Sequence, residues 1–257
     1  MFRPLVLAVL FAPGLSAAVT DRPRPAVPLE IDARGGIVVT VMVGESGPYR
    51  FLLDTGTSRS IVSDTLAREL AAPVVAKTEM ASRAGPEWRV VVRLASLSIG
   101  TAVVRDVLAP VLPDSRLAEA DHGVRGVLGQ DFLSAFNYTL DYRRSRLTWD
   151  ESIACDGPRA MRLAAADGRF VMSAVTDAGL LRLVPDSGTD APILFRAGRP
   201  IAATSIIGAL RVGDVELTRV SAVNVERRDP DADGLLPLHG FAAVSFAAGG
   251  RCMVARR

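Results

Sequence analysis

The chain has 257 residues, 49% hydrophobic and 23% charged, with a net charge of +2. That composition excludes intrinsic disorder, two cysteines are too few for a disulfide-built miniprotein, and a single long apolar run excludes a multi-pass membrane protein. Lys77 is the only lysine, and no basic block or aromatic-basic interleaving marks a nucleic-acid partner.

The first predicted element is an export signal over residues 1–18. Arg3 supplies a short positive region, Pro4 to Leu15 an apolar core, and Ser16-Ala17-Ala18 the small residues of a cleavage site. The apolar run falls short of the roughly 20 residues that span a bilayer, and no cysteine follows it for a lipid anchor. Residues 19–27 (VTDRPRPAV) read as a leader. A periplasmic or secreted monomer without a stable membrane anchor after signal cleavage is expected.

From residue 28 onward, strands rich in Val, Ile, Leu and Thr are punctuated by Gly, Pro and Asp every 8–12 residues, the pattern of an all-β fold. The first copy of a repeat, residues 28–150, carries Phe51-Leu52-Leu53-Asp54-Thr55-Gly56-Thr57-Ser58 and a short helix predicted over Ser63 to Leu70. A hairpin follows around Ala76 to Arg93, with Arg83-Ala84-Gly85-Pro86 as its turn. Beyond it come Leu97-Ser98-Ile99-Gly100, Gly126-Val127-Leu128-Gly129 and a second short helix over Asp131 to Phe136, with Asp131 as its N-terminal cap. Residues 151–159 (ESIACDGPR) read as a connector, and residues 160–257 as the second copy.

Shifted by 132 residues, Pro28–Asp54 lies over Ala160–Asp186 without a gap. Gly36 falls on Gly168, Val43 on Val175, Gly47 on Gly179, and Asp54-Thr55-Gly56-Thr57 on Asp186-Ser187-Gly188-Thr189. With gaps, Leu97–Gly100 corresponds to Leu210–Gly213 and Gly126–Leu128 to Gly234–Leu236. From the motif aspartate to the corresponding glycine is 46 residues in copy 1 and 27 in copy 2, so the hairpin is an insertion on one copy and reads as a single cover over a shared site.

One Asp-Ser/Thr-Gly triplet alone is ordinary turn chemistry, with Asp capping the backbone and Gly supplying a positive φ. Two triplets, each after an apolar strand and each at the same place in a duplication, imply facing loops across a pseudo-twofold axis. Facing carboxylates cannot both ionise; they share a proton, so that one serves as base toward a water and the other as acid toward a carbonyl. Asp54 and Asp186 are therefore the catalytic candidates. Gly56 and Gly188 complete the triplets. Thr55 and Ser187 are placed to cross-bond the opposite loop, and the hydroxyls of Thr57 and Thr189 to donate to the outer carboxylate oxygens, favouring the ionised form and activity in acid.

FLLDTGTS resembles the first active-site motif of the aspartic proteases, pepsin-like and retroviral-like. GVLGQDFLSAFNYTLDY resembles the apolar-apolar-Gly element completing each lobe, in the form seen in bacterial retropepsin-like proteins. The resemblance covers most of residues 28–257 and implies a bilobal acid-protease β fold with both lobes in one chain. It also implies peptide or protein substrates, water-mediated peptide hydrolysis with no metal or other cofactor, Asp54 with Asp186 as the dyad, and the copy 1 hairpin as the flap. Copy 2 departs from the pattern at Pro185, at Pro237 where copy 1 has Gly129, and at Asp190 where copy 1 has Ser58. The flap holds no tyrosine; Trp88 is its large aromatic residue, either a substrate contact or packing under the hairpin.

Cys155 and Cys252 share no ligand spacing with His122 or His239, so a zinc site is not expected. In an oxidising compartment the pair reads as a disulfide, the alternative being two buried thiols. The histidines read as surface or capping residues. Three functions follow from these residues: an exported aspartic endopeptidase, a two-lobed peptide-binding protein without catalysis, and a β-rich envelope protein whose triplets are structural turns.

Overall fold

The computed structural model describes residues 26–257 except 34, 83–84, 119–122, 151 and 197–201. The export signal, most of the leader, Arg83 and Ala84 of the hairpin turn, and His122 lie outside the described residues.

Valine-rich alternation builds two lobes, each around its own curled sheet. In the N-terminal lobe eight strands run in the spatial order Glu30–Ile31, Ile37–Val43, Ser46–Leu53, Gly126–Leu128, Ile61–Ser63, Ala102–Leu112, Gly85–Ile99 and Val74–Ser82. Pairing of Met42 with Ser98 and Val43 with Leu97 curls this sheet back on itself. The C-terminal lobe repeats the plan with seven strands over Ala164–Pro237, and Val175 pairing with Arg211 curls it in the same way.

Each lobe has one interleaved strand that sets the position of its aspartate. Gly126–Leu128 slots between two strands of the same copy, parallel to Phe51–Leu53 and antiparallel to Ile61–Val62. Gly234–Pro237 does the same between Leu183–Asp186 and Ile193–Leu194. The leading glycine of each is required by space. A Cβ on Gly126 would stand 2.5 Å from the Ile61 carbonyl oxygen, and one on Gly234 2.0 Å from that of Ile193.

A third sheet joins the lobes with three strands from each copy: Val27–Pro28, Arg146–Asp150 and Asn137–Asp141, then Ala243–Phe246, Cys252–Arg256 and Ala160–Arg162. At its centre Tyr138 pairs with Phe246, both fully buried, their rings stacked at 5.0 Å. Burying two aromatic side chains here contributes roughly 4 kcal/mol of apolar transfer free energy to lobe docking. Cys155 and Cys252 form a disulfide that ties the stretch between the copies to this sheet.

Both predicted helices are present but shorter. The first runs Asp64–Glu69, with the Ser63 hydroxyl accepting the Leu66 N–H at 3.0 Å as its cap. The second spans only Gln130–Leu133, and its cap position is Gly129, without a side-chain bond. The inserted hairpin is formed by Val74–Ser82 and Gly85–Ile99, with Glu79 opposite Trp88.

Candidate active site

Asp54 follows the strand Ser46–Leu53, and Asp186 ends the strand Gly179–Asp186. The Asp54 amide donates to the Leu128 carbonyl at 3.0 Å, so the interleaved strand holds the turn. Asp186 is the ladder partner of Pro237 on the second interleaved strand. Residues 132 apart in sequence then meet across the lobes.

Four buried hydrogen bonds lock the two turns together. The Thr55 amide donates to Ser187 Oγ at 3.0 Å, and the Ser187 amide to Thr55 Oγ1 at 3.0 Å. Thr55 Oγ1 donates to the Pro185 carbonyl at 2.8 Å, and Ser187 Oγ to the Leu53 carbonyl at 2.7 Å. Each hydroxyl thus accepts one amide and donates to one carbonyl of the other lobe, leaving no buried polar atom of the quartet unmatched. Pro185 fits this arrangement because only its carbonyl is used. The expectation that Thr55 and Ser187 cross-bond describes the geometry seen.

Beside this lock the carboxyl groups of Asp54 and Asp186 lie together, each against the glycine of the opposite triplet and close enough to influence the other's ionisation. The Gly56 amide donates to Asp54 Oδ1 at 2.8 Å and the Gly188 amide to Asp186 Oδ1 at 2.7 Å. Neither glycine has a positive φ. The reason for glycine is instead room: a Cβ on Gly56 would stand 2.4 Å from the Asp186 carboxyl carbon, and one on Gly188 2.8 Å from that of Asp54. Each triplet supplies the floor on which the opposite acid rests.

Burial holds the Asp186 carboxyl well above the usual carboxylate range, and the neighbouring Asp54 charge raises it further. Burial also raises Asp54, opposed by the Gly56 amide, the Asp186 carboxyl and the Thr57 amide. Two acids so disposed titrate as one pair that retains a shared proton.

Several expectations are corrected. The Thr189 hydroxyl donates to the Ala191 carbonyl at 3.0 Å, not to Asp186. The groups that favour the ionised acids are backbone amides, those of Gly56 and Gly188 first and those of Thr57 and Thr189 after them. Asp131 is not a cap; its Oδ1 accepts the Ser60 amide at 2.8 Å and the Ser60 hydroxyl at 2.6 Å. Trp88 is 68% exposed, which overturns packing under the hairpin. His239 is exposed, beside Gly35.

Sequence reasoning missed the network behind the first turn. The Gly129 amide donates to Ser60 Oγ at 3.1 Å, and Gln130 Nε2 donates to the Thr55 carbonyl at 2.8 Å. The matching positions of copy 2 are Pro192, Pro237, Leu238 and His239, none of which can reproduce it. That joint replacement is visible when Ser60, Gly129, Gln130 and Asp131 are compared between copies as one set. Beside Asp54 lies a cavity of about 310 Å³, lined among others by Asp32, Ile37, Leu52, Gly188 and Asp190.

The aspartyl protease family model matches residues 39–132. No curated protein matches the chain in sequence. Among solved structures, an aspartic proteinase from Irpex lacteus aligns over 90% of this chain and 96% of its own at 11% identity, with a TM-score of 0.55. A retropepsin-like aspartic protease from Rickettsia conorii aligns over 49% of this chain and 89% of its own at 18% identity, with a TM-score of 0.36. The chain has the bilobal fold of the aspartic proteases, and its N-terminal lobe carries the match to the aspartyl protease family.

Proposed function

We propose that the protein is an exported aspartic endopeptidase whose Asp54 and Asp186 act on one water held between them. The observation that carries this reading is the pair of adjoining carboxyls seated on each other's glycine and braced by the Thr55–Ser187 lock. With one proton shared, the ionised carboxylate takes a proton from the water while the protonated one donates to the peptide carbonyl oxygen. Water oxygen bonds to the carbonyl carbon, giving a tetrahedral diol. The newly protonated carboxyl then gives its proton to the amide nitrogen while the other carboxylate takes a proton from a diol hydroxyl. The C–N bond breaks to an acid and an amine, and the shared proton is restored. The backbone amides of Gly56 and Gly188 hold the acids in place through this exchange. The disulfide supports an oxidising compartment and therefore export.

The test is cleavage of an unfolded protein mixture by residues 19–257 from about pH 3 to about pH 7, beside Asp54→Asn and Asp186→Asn, a range chosen to span the titration of a coupled carboxyl pair. Each substitution is expected to lower cleavage by about a thousandfold or more, because either change removes the base-acid pair. Cleavage that survives either one sinks the proposal. A second reading, peptide binding without catalysis, has one observation in its favour: the C-terminal turn lacks the Ser60–Gly129–Asp131 brace. Saturable peptide binding with no cutting at any pH would select it.

A further inference from the structure

The cleft is not symmetric about the dyad. On the Asp54 side the cavity of about 310 Å³ opens between Gly36 and Asp190, lined by Ile37 and Leu52 and by the carboxylates of Asp32 and Asp190. The duplication provides an internal control. On the Asp186 side the equivalent positions hold Ala164 for Asp32 and Ser58 for Asp190. There the walls also meet: a Cβ on Gly168, the counterpart of Gly36, would stand 2.9 Å from the Ser58 Cβ. Both carboxylates therefore belong to the open side alone.

An aliphatic lining that carries two carboxylates is complementary to an alkyl stem with a cationic head. A neutral aliphatic side chain would fill the same space without offering the Asp190 carboxylate a donor. The Asp32 side chain is held at the cavity wall by its Oδ1, which accepts the Gly36 amide at 2.9 Å, and Asp32 and Asp190 are both exposed there. We propose that this cavity receives a lysine or arginine side chain of the substrate, so that the enzyme cuts beside a cationic residue. The inference rests on the dyad being the site of cleavage.

The experiment uses matched peptides that differ only at the two positions flanking the scissile bond, with arginine, lysine, leucine or glutamate there. The expected result is a kcat/KM about tenfold higher for arginine or lysine than for leucine, the size of one partly solvated charge-assisted hydrogen bond. Asp190→Ser, which installs the residue of the other copy, should bring the arginine-to-leucine ratio toward one, while Asp190→Glu keeps most of it. Structural damage would lower both peptides together and leave the ratio unmoved. Equal cutting of arginine and leucine peptides by the unsubstituted chain overturns the assignment, as does a ratio that survives Asp190→Ser combined with Asp32→Ala. If no peptide is cut, the proteolytic reading fails by itself, and the same peptides are compared by fluorescence polarisation. Tighter binding of the cationic ones then upholds the cavity's role, and equal Kd values overturn it.

Discussion

A methyl group on Gly56 would stand 2.4 Å from the Asp186 carboxyl carbon, so Gly56→Ala tests how closely the acids must sit. The expected outcome is a folded chain whose cleavage falls by about a hundredfold, the effect of displacing a reacting group by roughly 1 Å. Thr55→Val keeps the shape but leaves the buried Ser187 amide and Pro185 carbonyl without partners; a loss of about 2–4 kcal/mol in denaturant unfolding is expected. The pH dependence follows from Asp186, whose pKa is raised in the folded state. A raised carboxyl adds stability below its unfolded pKa and loses it as pH climbs through the folded value, where it must ionise beside Asp54. Asp186→Asn should therefore unfold at a higher temperature than the unsubstituted chain at neutral pH, with the gap closing in acid. The same proton is needed for cleavage, so activity should fall as pH rises through the pair's upper titration.

Two features set the N-terminal copy apart: a brace behind its aspartate and the inserted hairpin. The interleaved strands position both aspartates, yet only the N-terminal one ends in the Ser60–Gly129–Asp131 network. Burial pushes the Asp131 carboxyl above its usual value against the bonds from Ser60. The hairpin Val74–Ile99 leaves Trp88 exposed, which makes it available to a peptide if the hairpin closes over the cleft as proposed. Trp88→Ala should leave stability within about 0.5 kcal/mol, because an exposed side chain contributes little to folding, while KM for peptides rises several-fold. An unchanged KM would remove Trp88 from the substrate surface. Met80, three ladder pairs from the hairpin's turn, packs against the cluster of Val38, Ile61, Leu117 and Val127, which ties the tip end of the hairpin to the N-terminal lobe.

At the scale of the whole molecule, the six-stranded sheet is what makes two lobes into one site. It docks the copies through Asn137–Asp141 and Ala243–Phe246, and the disulfide closes a loop spanning 97 residues of sequence separation around it. In the chain-entropy view that closure restricts the unfolded chain. Replacing both cysteines by serine should lower unfolding free energy by about 4 kcal/mol, read from denaturant midpoints, with cleavage at low temperature retained.

The gap-free repeat made the equivalence of Asp54 and Asp186 legible, because identical local patterns of strand, turn and glycine spacing are written into contiguous residues. Cross-bonding by Thr55 and Ser187 was legible for the same reason, since their hydroxyls stand next to the acids in both copies. Roles that depend on long-range approach were not. Glycine at 56 and 188 reads as backbone freedom in sequence and proves to be room for a carboxyl from the other lobe. Asp131 reads as a helix cap and instead holds Ser60, which is 71 residues away. Sequence by itself determined the two equivalent motifs and the β-rich lobes that present them, since side-chain period and turn chemistry are local. Only the tertiary structure decided that the acids touch and that the cleft opens on one side. Those outcomes depend on how two curled sheets dock, a geometry set by many dispersed contacts rather than by any one motif.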